Sequence, residues 1–182
     1  MLRQGDPLSA ALFVINIDPL VRALDREVGG IWVGANHVKT GAFMDDITVF
    51  TTKLDDMAAV DSIFLQYEQL TGMVLSRTCK SKVTGLGKWA NRADWPISWL
   101  GTEKVVRVLG FWLGPSVAVS VDRTWEKVVE VFRVEILAAR RFDLPLLRDR
   151  LEFVNTFCLS KLWYVAHVMP LARRVADKLD KL

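Results

Sequence analysis

No stretch of this 182-residue chain approaches the roughly 18 apolar residues in a row that a membrane span needs. The longest candidate, Ala10 to Ile17, is interrupted by Asn16 and stopped by Asp18. The opening Met1-Leu2-Arg3-Gln4-Gly5-Asp6 has no basic segment followed by an apolar one, so it does not read as a secretory signal. Cysteine and histidine are scarce. Two of each, Cys79, Cys158, His37 and His167, are too few and too scattered for a zinc site or a disulfide framework, and the thiols are expected to be buried or inert. There is no internal repeat, no low-complexity tract and no Gly/Ser linker, which leaves one domain, or one domain with a helical appendage.

What is present is apolar bulk. Hydrophobic residues make up 51% of the chain, and seven Trp and nine Phe offer more bulky surface than a domain this small usually hides. Mean hydropathy of +0.22 excludes a disordered tail. Such a chain either has a full-sized core or exposes a face that packs on residues outside it. The formal net charge of +3 hides an asymmetry. Residues 1–76 carry five Lys and Arg against ten Asp and Glu, residues 77–107 carry seven against two, and residues 120–182 carry twelve against nine. An acidic half followed by a basic one fits a metal-binding pocket beside a phosphate-binding surface, although ordinary solvated surface gives the same count.

Local chemistry marks the elements. Asp6-Pro7 reads as a helix start, with Asp6 as N-cap and Pro7 in the first turn. Leu8, Ala11, Leu12 and Ile15 share one helical face, Pro19 is a candidate kink or stop, and Gly29-Gly30 closes the segment. Lys39–Phe43 and Ile47–Thr51 are expected as strands around a turn at Met44-Asp45-Asp46. Asp55-Asp56 should cap a helix that ends at Thr71-Gly72. Short strands are expected at 81–86, 95–100 and 105–113, then helices over 123–140 and from Pro145 to about His167. The fold class is therefore α+β.

The sharpest chemical signal is Ala42-Phe43-Met44-Asp45-Asp46-Ile47-Thr48-Val49-Phe50. Two adjacent carboxylates at a hairpin tip repel each other unless a cation neutralises them, and hard divalent ions bind through one or two carboxylates plus substrate phosphates. An acidic turn without function has the same composition. Context separates the readings. Arg3-Gln4-Gly5-Asp6-Pro7-Leu8-Ser9, with Leu12-Phe13 and Asp18-Pro19-Leu20 beyond, resembles the reverse-transcriptase block Arg-Gln-Gly-x-Pro-Leu-Ser. The hairpin resembles the Tyr/Phe-x-Asp-Asp motif of the same family. Thr71 to Ser76 through Lys80-Ser81-Lys82 is similar to its Ser-Gly-Leu-x-Leu-Asn-x-x-Lys-Ser segment, and Val108-Leu109-Gly110 to its primer-grip turn. Leu151 to Asn155 with Leu159 to Tyr164 looks like the thumb helix of non-LTR (LINE-like) retrotransposon enzymes. Five blocks in the right order cover nearly the whole chain.

The resemblance implies a partial polymerase palm over 1–118, an antiparallel sheet with packed helices, followed by a helical thumb-like region over 119–182. It implies an RNA-directed DNA polymerase with Mg²⁺ as cofactor (Mn²⁺ as a substitute). An RNA template, a DNA primer and deoxynucleoside triphosphates are the implied partners, with no membrane. Asp45 and Asp46 become metal carboxylates, and Lys80 a general acid for the leaving pyrophosphate. Arg3, Gln4, Gly5, Phe43 and Met44 line the nucleotide and template pocket, and Leu109 and Gly110 grip the primer. Arg140, Arg141, Arg148, Arg150 and Lys161 could track duplex phosphates, or simply be solvated. The implied site places Arg3 to Gly5 beside the Asp45-Asp46 tip, with the basic 77–107 segment facing it.

Three departures stand out. Met44 replaces the commoner Ala, Ser76 replaces the usual Asn, and Cys79 shifts the register of Lys80. The family's third metal carboxylate lies upstream of the Arg-Gln-Gly block, where this sequence has only Met1 and Leu2. The expectation is thus a fragment that lacks the N-terminal fingers and first palm strand of its parent polymerase and is inactive alone, in the nucleus or cytoplasm. The alternative is a non-catalytic nucleic-acid-binding remnant of a retroelement. A group II intron maturase or an RNA-copying polymerase fits the Arg-Gln-Gly and thumb blocks less well.

Overall fold

The computed structural model describes residues 7–76, 80–97, 100–139, 141–142 and 146–181. It is a mixed α and β chain, as expected, divided into two compact units, 1–103 and 104–182.

The first described element of the first unit is helix α1 (Pro7–Glu27), and the residues that would show whether it begins at Pro7 lie outside those described. The Asp6 cap lies outside the described residues. Pro19 neither ends nor breaks the assigned helix. The face marked by Leu8, Ala11, Leu12 and Ile15 is exposed, with Ile15 at 68%. Burial begins one turn later, with Leu20 and the fully buried Leu24 set against Phe64 of helix α2 (Asp55–Thr71). Each such leucine contributes about 1.5–3 kcal/mol. The helix then closes at Gly29-Gly30, and Gly30 has φ 70°, where a Cβ would strike the Val38 carbonyl at 2.7 Å. That clearance lets the chain fold straight into the hairpin of β1 (Ile31–Val33) and β2 (Asn36–Val38).

A second hairpin follows, β3 (Thr40–Phe43) with β4 (Asp46–Val49), pairing Thr40 with Val49 and Phe43 with Asp46. Helix α2 ends as expected at Gly72, in the left-handed region at φ 72°, its amide donating to the Glu68 carbonyl at 2.8 Å. Asp55-Asp56 does not cap it. The N-cap is Leu54, and both aspartates sit in the first turn. Asp56 instead accepts from the Gly29 amide (2.9 Å) and the Thr51 hydroxyl (2.5 Å), fastening the ends of α1 and the hairpin to α2.

Beyond α2 regular structure thins. Strand β5 (Lys82–Val83) pairs in parallel with β6 (Gly101–Thr102), and Lys82 forms an ion pair with Glu103. The strand expected over 95–100 is therefore displaced to 101–102. Pro96 has no amide to give a ladder. Trp95 is engaged elsewhere, since Arg92 lies over both Trp89 (5.3 Å) and Trp95 (5.8 Å), and residues 98 and 99 of the expected strand lie outside those described.

In the second unit, the stretch expected as one strand is a hairpin of β7 (Val106–Val108) and β8 (Phe111–Leu113). Helix α3 (Val117–Ala139) starts six residues before the expected 123, because the Ser116 hydroxyl accepts from the Val119 amide at 3.4 Å. The second expected helix is continuous from α4 (Leu147–Phe153) through a π-helical stretch (Val154–Leu159) into α5 (Ser160–Ala166). Pro145, its expected start, lies outside the described residues. A further helix not foreseen, α6 (Arg173–Leu179), closes the chain. Trp125, Val165 and Val175 form the core, and the Trp125 indole donates to the Pro170 carbonyl at 3.0 Å. No described helix is long and apolar enough to cross a membrane.

Candidate active site

The β3–β4 hairpin gathers Phe43, Met44, Asp45 and Asp46 at one tip. Because side chains alternate along a strand, its packing fixes their direction. Ile47 and Val49 pack on the Leu20–Leu24–Phe64 core, so Asp46 and Thr48 face the opposite side. Phe43, paired with Asp46, shares that outward face. The turn is tighter than the sequence suggested. Met44 and Asp45 alone form it, and Asp46 is already the first residue of β4.

Met44 sits at φ 52°. A non-glycine residue in this region costs about 1–2 kcal/mol, and such strain persists only where the surroundings enforce it. The other non-glycine residue with positive φ among those described is Leu109, at 47°, followed by Gly110 at 91° in the β7–β8 turn. Both positions coincide with motifs picked out from the sequence.

Asp45 and Asp46 are both exposed. Among the described residues neither carboxylate has a side-chain hydrogen bond or an ion pair, so no described cation offsets their mutual repulsion. These donors fit a hard cation. No cluster of three or more His, Cys, Asp or Glu stands together among the described residues, so substrate oxygens or water would supply the remaining ligands. Lys80 is exposed in a turn of the same unit, between α2 and β5, where the Ser81 amide and hydroxyl both bond the Ser76 carbonyl. Arg3, Gln4 and Gly5 lie outside the described residues. Leu109 and Gly110 belong to the second unit.

The reverse transcriptase (RNA-dependent DNA polymerase) family model matches residues 1–113, well over half of the chain. The chain belongs to the reverse-transcriptase family. No curated protein matches it significantly. Reverse transcriptases act on a nucleic-acid template and primer with deoxynucleoside triphosphates and generally use divalent metals. The matched span takes in the Asp45-Asp46 hairpin, Lys80 and the Leu109-Gly110 turn.

Sequence reasoning missed several residues around these motifs. Lys39 donates to the Asp25 carbonyl at 2.6 Å near the end of α1, and Asp56 ties the base of the hairpin. In the second unit, buried Thr124 accepts from the Trp112 amide (2.9 Å) and donates to the Ser120 carbonyl (2.8 Å), pinning β8 to α3. Of the basic residues considered for phosphate contact, Arg141, Arg148, Arg150 and Lys161 are exposed, and Lys161 is paired with Glu135. Arg140 lies outside the described residues.

Proposed function

We propose that this chain is the palm-and-thumb portion of a non-LTR (LINE-like) retrotransposon reverse transcriptase, with palm residues over 1–118 and thumb residues over 119–182. In that enzyme it adds deoxynucleotides to a DNA primer, copying an RNA template. Asp45 and Asp46 would hold Mg²⁺, and the ion would supply Lewis-acid activation of the primer 3′-hydroxyl and charge stabilisation for the leaving pyrophosphate. Lys80 supplies a proton to the leaving group, Arg3, Gln4, Gly5, Phe43 and Met44 shape the nucleotide and template pocket, and Leu109-Gly110 seats the primer end. The observation that carries this reading is the strained hairpin tip, which presents two adjacent carboxylates with no ion pair among the described residues.

The family's third carboxylate is expected on a strand outside these 182 residues. Two carboxylates do not hold two metals in line for transfer, so residues 1–182 alone are expected to bind metal without extending a primer. Mn²⁺ added to the chain should broaden the amide resonances of Phe43 to Ile47, and Asp45→Asn with Asp46→Asn should abolish the effect. Broadening unchanged in the double variant would remove the metal assignment. Primer extension by the chain alone, lost in Asp45→Ala, would remove the claim of incompleteness. A second reading, a non-catalytic nucleic-acid-binding remnant, draws on the twelve Lys and Arg against nine Asp and Glu over 120–182. It predicts salt-dependent duplex binding with no metal response at residues 43–47.

A further inference from the structure

The β7–β8 turn is an unfavourable piece of backbone, with Leu109 at φ 47° and Gly110 at 91° in succession. Glycine tolerates this and leucine does not, so something outside the turn must hold it. Within the same compact unit, the Tyr164 hydroxyl on α5 donates to the Leu109 carbonyl at 2.8 Å. The Tyr164 ring also packs against Phe111, centroids 5.2 Å apart and planes tilted by 40°. A Cβ on Gly110 would lie 3.5 Å from the Tyr164 ring, so the phenol lies close along the turn. Tyr164 is itself 52% exposed, and its value to the fold lies in this contact rather than in burial. The middle of β8 has its own anchor through Thr124 and Trp112.

We propose that Tyr164 is a positioning residue that latches the Leu109-Gly110 turn to the thumb helix and so sets where the primer terminus sits. This rests on the primer-grip reading of Leu109-Gly110. The turn and the middle of β8 are then held by different helices, α5 and α3, which fixes the turn to the helices of this unit. The hydroxyl sets the height of the Leu109 carbonyl, and the ring blocks the turn from relaxing toward Phe111. A primer end seated on the turn thereby inherits the position of α5.

The test uses chain 1–182 with an RNA/DNA primer–template whose 3′-terminal primer base is a photoreactive 4-thio base. In the wild-type chain the crosslink should map to residues 108–111. Tyr164→Phe keeps the ring and loses one hydrogen bond, which should lower the crosslink yield about fivefold. Overall duplex affinity, set mainly by phosphate contacts, should stay within about twofold. Amide exchange should quicken at Gly110 and Phe111 while the Trp112 amide, held by Thr124, keeps its protection. Tyr164→Leu, which also removes the ring, should lose the crosslink. Equal crosslinking and exchange in wild type and Tyr164→Phe would overturn the latch while leaving the primer grip in place. A wild-type chain that binds duplex but never crosslinks at the turn would overturn the primer-grip reading, and the latch with it.

Discussion

Thr124→Val removes one hydroxyl at nearly constant shape, and the structure says where the cost falls. Thr124 is fully buried, and its oxygen accepts from the Trp112 amide at 2.9 Å while donating to the Ser120 carbonyl at 2.8 Å. The second bond is dispensable, because that carbonyl is already the helical acceptor of the Thr124 amide. The first is not. Trp112 is at the middle of β8, its amide turned toward α3, and valine would leave it unpartnered, costing about 1–3 kcal/mol. A loss of about 2 kcal/mol in a unit of this size should lower the melting midpoint by about 8–16 °C. Thr124→Ser keeps the hydroxyl and sacrifices a methyl group, so it should cost only about 1 kcal/mol. Circular dichroism melts of the three proteins give the magnitudes, and hydrogen exchange of the Trp112 amide locates the effect. If Thr124→Val melted with the wild type, or Thr124→Ser proved the less stable of the two, the assignment of this hydroxyl as the anchor of β8 would be wrong.

Other outcomes follow from the same reasoning. At Met44, glycine reaches φ 52° without a Cβ clash and should leave the β3–β4 hairpin at least as protected from exchange as in wild type. Valine there should weaken the hairpin by about 1–3 kcal/mol, and a valine variant better protected than the glycine one would refute the strain. Burial, followed by the nearby Glu135, pushes the Cys158 thiol above its ordinary pKa, against the opposing pull of Lys161. In a Cys79→Ser background, iodoacetamide at about pH 8 should therefore label the chain only after unfolding, and rapid labelling of the native chain would contradict this. A raised thiol pKa favours the protonated folded form, so stability should decline as pH climbs above the normal thiol range. The exposed α1 face (Leu8, Leu12, Ile15) and four two-stranded sheets with open edges among the described residues should make the chain self-associate. A monodisperse monomer in light scattering at micromolar concentration would contradict that.

The sequence by itself determined what depends on a few neighbouring residues. Gly72 places the end of α2, and strand-like residues on both sides of Met44-Asp45 leave the chain no other place to turn. These are constraints on φ and on local pairing, and they act within one turn of the chain. The tip of the candidate site was legible for that reason, and its motifs carried the family. Tertiary structure decided whatever required a distant partner. Pro19 could have stopped α1, but burial of Leu20 and Leu24 against Phe64 lies beyond it and the helix continues. Asp56 has the composition of a cap, yet its carboxylate serves the Thr51 hydroxyl five residues back and the Gly29 amide 27 residues back. Tyr164 reaches Leu109 across 55 residues, a contact that no periodicity encodes. Spacing along the chain reports which face a side chain occupies, and only packing reports what meets that face.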